Sequence, residues 1–153
     1  MILTTHELVG ATIGAKIHNP WLIIIFSLAM HFVLDTFRHG EYLNQKSTLK
    51  ETFWKVALDL SAGLIVVFLY IYFSNPSLTK IGHIFLGLFT SILPDSLTFL
   101  YWNFRLSVLK KIYAFHSWCH KYPPGTLERA WNFRNATNDI LISLIAIIIL
   151  FIK

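Results

Sequence analysis

From Leu60 to Thr79 the chain carries no charged residue. A run of that length is sufficient to cross the roughly 30 Å of hydrocarbon in a bilayer. In that solvent every backbone N–H and C=O must be paired within the protein, so the run has to be helical or part of a closed barrel. The rest of the chain supports helices. Its hydrophobic fraction is 55% and its charged fraction 14%, where soluble domains run at roughly 45–50% and about 25%. The 153 residues are therefore expected to form a single all-α domain, a polytopic helical membrane protein. Its expected content is about four to five membrane-embedded helices plus an amphipathic interfacial segment.

Helix boundaries follow from local signals. Thr4-Thr5-His6-Glu7 has the spacing of a capping box and starts a first helix that runs to about Ile17. Gly10 and Gly14 give that helix a face of small residues for close packing. Asn19-Pro20 turns into a second helix, expected to reach Phe37 and to be stopped by Gly40. Thr48-Leu49-Lys50-Glu51 repeats the capping-box spacing before a third helix that ends at Asn75-Pro76. A fourth continues to about Phe104 and is expected to be interrupted at Pro94-Asp95. Ser107 to His120 is basic and amphipathic, which suits the membrane surface. A last helix is expected from Thr126 to Lys153. No basic leader with a cleavage site is evident at the N-terminus, and the single cysteine, Cys119, excludes an internal disulfide framework.

The chemistry concentrates at the end of the second helix. His31, Asp35 and His39 are four residues apart, so on a continuous helix imidazole, carboxylate and imidazole share one face. These groups suit zinc or another transition metal, and ionisable groups inside a bilayer are costly unless they serve a function. Loop charges extend the reasoning. Arg38, Lys46, Lys50 and Lys55 lie in one loop, and Arg105, Lys110, Lys111, Lys121, Arg129 and Arg134 in another. Two spans separate those loops, which puts both on one side, the cytoplasmic one by the positive-inside rule. His6, Asp59, Asp95, His116, His120 and Asp139 then fall toward the same end as Asp35 and His39, whereas His18 and His83 fall toward the other. The net charge of +5 suits lipid headgroups at such flanks, and no nucleic-acid partner is expected.

Each candidate has a structural alternative. Asp59 follows Lys55 by four residues and could simply pair with it. Asp95 could cap the second half of a broken helix. His116 and His120 could be the polar tips of an interfacial segment, and His6 a first-turn residue. Asp139, with Asn135 and Asn138, reads first as the polar entry to a span. Glu7 and Glu128 read as capping or solvated, Cys119 as inert, and Gly87 as a packing residue. Phosphate-loop, dinucleotide-fold and nucleophile-elbow motifs are absent from the sequence.

Four short patterns occur together: T-H-x-x-x-G at Thr5–Gly10, S-x-x-x-H-F-x-x-D-x-x-x-H at Ser27–His39, L-P-D at Leu93–Asp95 and F-H-x-x-x-H at Phe115–His120. In these the chain resembles predicted membrane-bound metal-dependent hydrolases of bacteria, a group similar at a distance to zinc-dependent phospholipase C. The resemblance implies an all-α bundle, His and Asp ligands to a divalent metal, and phosphoester hydrolysis. Position by position, His31 and Asp35 match the H-x-x-x-D element and Asp95 the L-P-D element. The chain departs from the pattern in having no H-x-x-x-E helix, and Ser96-Leu97 stand where D-x-D-H would continue after the proline.

The resulting expectation is a hydrolase of the bacterial inner membrane with one or two divalent ions, zinc first, and its site on the cytoplasmic side. His6, His31, Asp35, His39 and Asp95 are the expected metal ligands, with Asp59, His116 and His120 as catalytic groups. Membrane lipids are the surroundings, and a lipid or lipid-linked phosphate is the expected substrate. Two rivals have different signatures. An ion or proton path would spread polar groups through the whole membrane depth. A scaffold with a structural metal would close its coordination sphere.

Overall fold

A computed structural model describes residues 1–42 and 49–152. Among these the fold is all-α, with six helices. They are α1 (Leu3–Lys16), α2 (Pro20–Asp35), α3 (Leu49–Ser74), α4 (Leu78–Phe104), α5 (Lys110–Cys119) and α6 (Phe133–Phe151). Segments Thr52–Ser74, Leu78–Phe104 and Phe133–Phe151 are long and apolar enough to cross a membrane, and α2 is a shorter apolar helix. Lys46, Thr48 and Lys153 lie outside the described residues.

The shortest of the four N-terminal helices is the centre of the bundle. α1 packs against α4, α3, α6 and α2, and its residues from Thr5 to Thr12 are buried on every side. Glycine makes this possible. A Cβ on Gly10 would lie 2.4 Å from the Gly87 carbonyl oxygen, one on Gly14 2.1 Å from that of His83, and one on Gly87 2.1 Å from that of Gly10. The backbones of α1 and α4 thus touch directly, running antiparallel, as small-residue faces allow. Leu8, Val9, Ala11 and Ala15 of α1 fill the core with Val67 and Tyr70 of α3, Ile84 and Leu88 of α4, and Ala146 and Leu150 of α6.

Several local expectations need correction. Thr4 and Glu7 do not form a capping box: Ile2 occupies the cap position without a side-chain bond. The first backbone N–H groups of α1 are taken instead by carboxylates from other spans. Leu3 N–H and Thr4 N–H donate to Asp59 at 2.8 and 3.0 Å, and Ile2 N–H donates to Asp139 at 3.0 Å. Negative charge is favourable at this end of a helix. Glu7 is neither capping nor solvated; it is 1% exposed and faces Gly63 of α3. α2 stops at Asp35, four residues short of His39. α4 continues through Pro94, which sits inside the helix. α6 begins at Phe133, where the Asn132 side chain accepts from Asn135 N–H, and Thr126 instead precedes a single 3-10 turn, Leu127–Arg129.

Candidate metal centre

Chain direction places the active chemistry at one end. α1 starts there, α2 finishes there, and the second half of α4 returns there. α5 is laid across that end with Ile112, Phe115 and Trp118 outward and His116 inward, 3% exposed. Four donors converge: His31 and Asp35 from α2, Asp95 from α4 and His116 from α5 could hold one metal ion, their ligand atoms all within 4.8 Å of one another. His31 Nε2, His116 Nε2 and Asp35 Oδ2 form a triangle with sides of 3.1, 3.1 and 3.0 Å. Asp95 Oδ1 is 3.6 Å from His116 Nε2. Tetrahedral coordination with bonds of about 2.0–2.1 Å would set ligand atoms about 3.3 Å apart, so the spacing fits a single small cation.

The histidines are oriented by partners at their other nitrogens. His31 Nδ1–H donates to the Ser91 carbonyl at 2.7 Å, which leaves the Nε2 lone pair facing the cluster. Ser91 precedes Pro94 by less than one turn, in the stretch of α4 where the proline removes a helical N–H donor. His116 Nδ1 shares a 2.7 Å hydrogen bond with Thr98 Oγ1. Outer partners of this kind fix ring orientation in metal sites.

Asp35 is the hub. Its Oδ1 accepts from the Met1 amino group at 2.7 Å and lies 3.3 Å from His6 Nε2. Its Oδ2 also lies 3.5 Å from His120 Nε2. Asp35, His39 and His120 form a second group able to hold an ion. His39 reaches it from a loop rather than from the helical ladder. Its backbone N–H donates to the Glu128 carbonyl at 3.2 Å, and its Nδ1–H donates to the Phe37 carbonyl at 2.8 Å. His6 stacks on His31 with ring centroids 4.2 Å apart. Both ring nitrogens of His6, His39 Nε2, His120 Nδ1 and Asp95 Oδ2 are buried and have no hydrogen-bond partner among the described residues. Buried polar atoms left unsatisfied in this way are costly unless something else binds them. Burial, its largest cause, lowers His39 to about 3 and His120 to about 4, so both imidazoles are neutral and available as ligands near pH 7.

Of the residues singled out in the sequence, His6, His31, Asp35, His39, Asp95, His116 and His120 meet here. Asp59 does not. Its carboxylate is committed to the start of α1, to the Thr4 hydroxyl at 2.5 Å and to the Tyr42 hydroxyl at 2.6 Å. Asp139 likewise holds Ile2 and, at 3.3 Å, the Thr5 hydroxyl. His18 is exposed and His83 lies beside Gly14, toward the other end. Burial raises the Cys119 thiol, which keeps it protonated. Sequence reasoning missed Ser91 and Thr98, although both lie one turn from Asp95 on its own face of α4. It also counted Arg129 only among the basic residues of a loop. Arg129 is buried, pairs with Glu41 and donates to the Tyr122 carbonyl at 3.0 Å.

Beside the cluster lies a cavity of about 820 Å³, reached by Asp95, His116 and His120 and walled by Val56, Leu60, Phe99 and Trp102. That volume is in the range of small-molecule sites. No family model matches the chain, and neither a curated protein nor a solved structure gives a significant match.

Proposed function

We propose that the chain is a membrane-embedded hydrolase that uses one or two divalent cations, zinc foremost, to cleave a phosphoester of a lipid or lipid-linked substrate. The observation that carries this reading is the buried triangle of His31, His116 and Asp35, with Asp95 beside it, opening on a large cavity. A structural metal would have its ligands closed around it, whereas a catalytic one keeps a side open. A divalent cation there supplies Lewis acidity toward a phosphoryl oxygen and acidifies water near neutral pH.

The chain's own groups do the remainder. His31, His116, Asp35 and Asp95 would hold one ion, and Asp35 with His39 and His120 would hold a second. His6 buttresses the Asp35 and His31 side chains from α1. His120, neutral and at the cavity wall, is a proton acceptor for an attacking water when it is not itself a ligand. The polar residues gather at one end of the bundle, which favours chemistry over a conducting path. The basic loops at that end support a place in the cytoplasmic headgroup layer, in keeping with a bacterial inner-membrane protein.

Metal analysis tests the reading. Protein purified in mild detergent should carry near-stoichiometric zinc or manganese, reduced at least tenfold in a His116→Ala, Asp35→Asn double variant. Loaded protein should release phosphate or a phosphoryl headgroup from vesicle lipids, and the variant should not. A parent that holds no metal after reconstitution overturns the proposal.

A further inference from the structure

Resting on the reading of the cluster as a reaction centre, we propose that the cleft between α3 and α4 seats an acyl chain of the substrate, which enters sideways from the bilayer with its headgroup at Asp95 and His116. The two spans are neighbours in sequence and pack together at the end far from the cluster. There Val67 and Tyr70 of α3 share a core with Ile84 and Leu88 of α4, and Phe68 and Phe85 sit 6.0 Å apart. Toward the cluster they diverge. Val56 and Leu60 on α3, with Ile92 and Phe99 on α4, line the cavity and remain partly exposed.

Three features specify the occupant. The wall between the spans is apolar and belongs to two segments long and apolar enough to cross a membrane, where hydrocarbon is the available filler. The cavity runs without a break to Asp95, His116 and His120, so an apolar chain in the cleft leads directly to the donor cluster. At its outer rim a second recess, bounded by Lys50, Phe53, Val56 and Phe99, shares Val56 and Phe99 with the first. It opens past Phe53, which is 76% exposed, and places a lysine where the phosphate of an entering lipid passes. An apolar slot with one basic residue at its mouth and a donor cluster at its head matches a single-phosphate amphiphile.

The test uses the full chain in nanodiscs of phosphatidylcholine doped with a phosphatidic acid that carries a diazirine near the middle of one acyl chain. After irradiation the labelled residues are mapped by mass spectrometry, and metal content is measured on the same samples. Labelling should concentrate on Val56–Leu60 and Ile92–Phe99, and Leu60→Trp should reduce it at least fivefold. Leu69→Trp, a substitution on the outward face of α3, should leave it unchanged. Labelling spread evenly over outward residues such as Ile145 and Ile149 of α6 overturns the inference, whatever the metal content. Because the parent alone is diagnostic, the result stands even if Leu60→Trp fails to fold. Metal content separately decides the reaction-centre reading, so either can fail without the other.

Discussion

Replacing Asp59 by asparagine distinguishes a clamp from a catalyst. The carboxylate accepts two backbone N–H groups of α1 and the hydroxyls of Thr4 and Tyr42. Asparagine keeps one acceptor oxygen and brings an NH₂ group against donors. At least one charge-assisted hydrogen bond is lost, at about 1.5–3 kcal/mol. The favourable interaction of a full negative charge with the start of α1 goes with it, about 0.3–1 kcal/mol. The expected destabilisation is therefore roughly 2–4 kcal/mol, a fall in Tm on the order of 10 °C for a chain of this length. Thermal unfolding in detergent, followed by tryptophan fluorescence, reads the shift, and metal content at saturating zinc should stay at the parent level. Activity lost at an unchanged Tm would refute the clamp and return Asp59 to the catalytic set.

Gly87→Ala should cost about 1–3 kcal/mol by forcing α1 off α4, since its Cβ would meet the Gly10 carbonyl at 2.1 Å. Gly82→Ala is the control: nothing lies within 4 Å of that Cβ, so a neutral or slightly raised Tm is expected, and equal losses in both variants would refute direct backbone contact. Metal-free protein should lose stability as the pH falls below about 6.5, because His39 and His120 resist protonation until about 3 and about 4 in the fold. The unfolded chain takes up those protons first, so the melting temperature should drop between pH 7 and pH 5; a flat profile would contradict the burial of both rings. Chelation should lower the Tm and added zinc restore it, since the donors come from α2, α4 and α5; a melting point indifferent to both would exclude a shared ion.

The convergence of seven ionisable residues at one end was legible because it depends on little more than the order of spans and turns. Once Asn19-Pro20 and Asn75-Pro76 reverse the chain, His6, Asp35 and Asp95 can only meet at the same end. Orientation on a helix was legible as well, since His31 and Asp35 are one turn apart within α2. His39 was misplaced because helical spacing was extended past Asp35, while the actual path is set by pairing with Glu128 and Arg129, far along the chain. Pro94 was expected to break α4, but packing of the helix against α1 carries it through. The clamp on α1 left no pattern to read. Asp59 and Asp139 are bound to backbone N–H groups, which every residue but proline possesses.

The position of α1 has a consequence for biogenesis. A fourteen-residue helix carrying His6, Glu7 and three threonines is a poor candidate to enter a bilayer unaided. Its neighbours α3, α4 and α6 must be present to receive it, and Asp139, which holds Ile2 at its N-cap, belongs to α6, far along the chain. α1 thus settles only once α6 has been made, and His6 joins the donor cluster only then. Ribosome-bound chains stopped before Asn132 should leave α1 open to protease, whereas chains that include α6 should protect it.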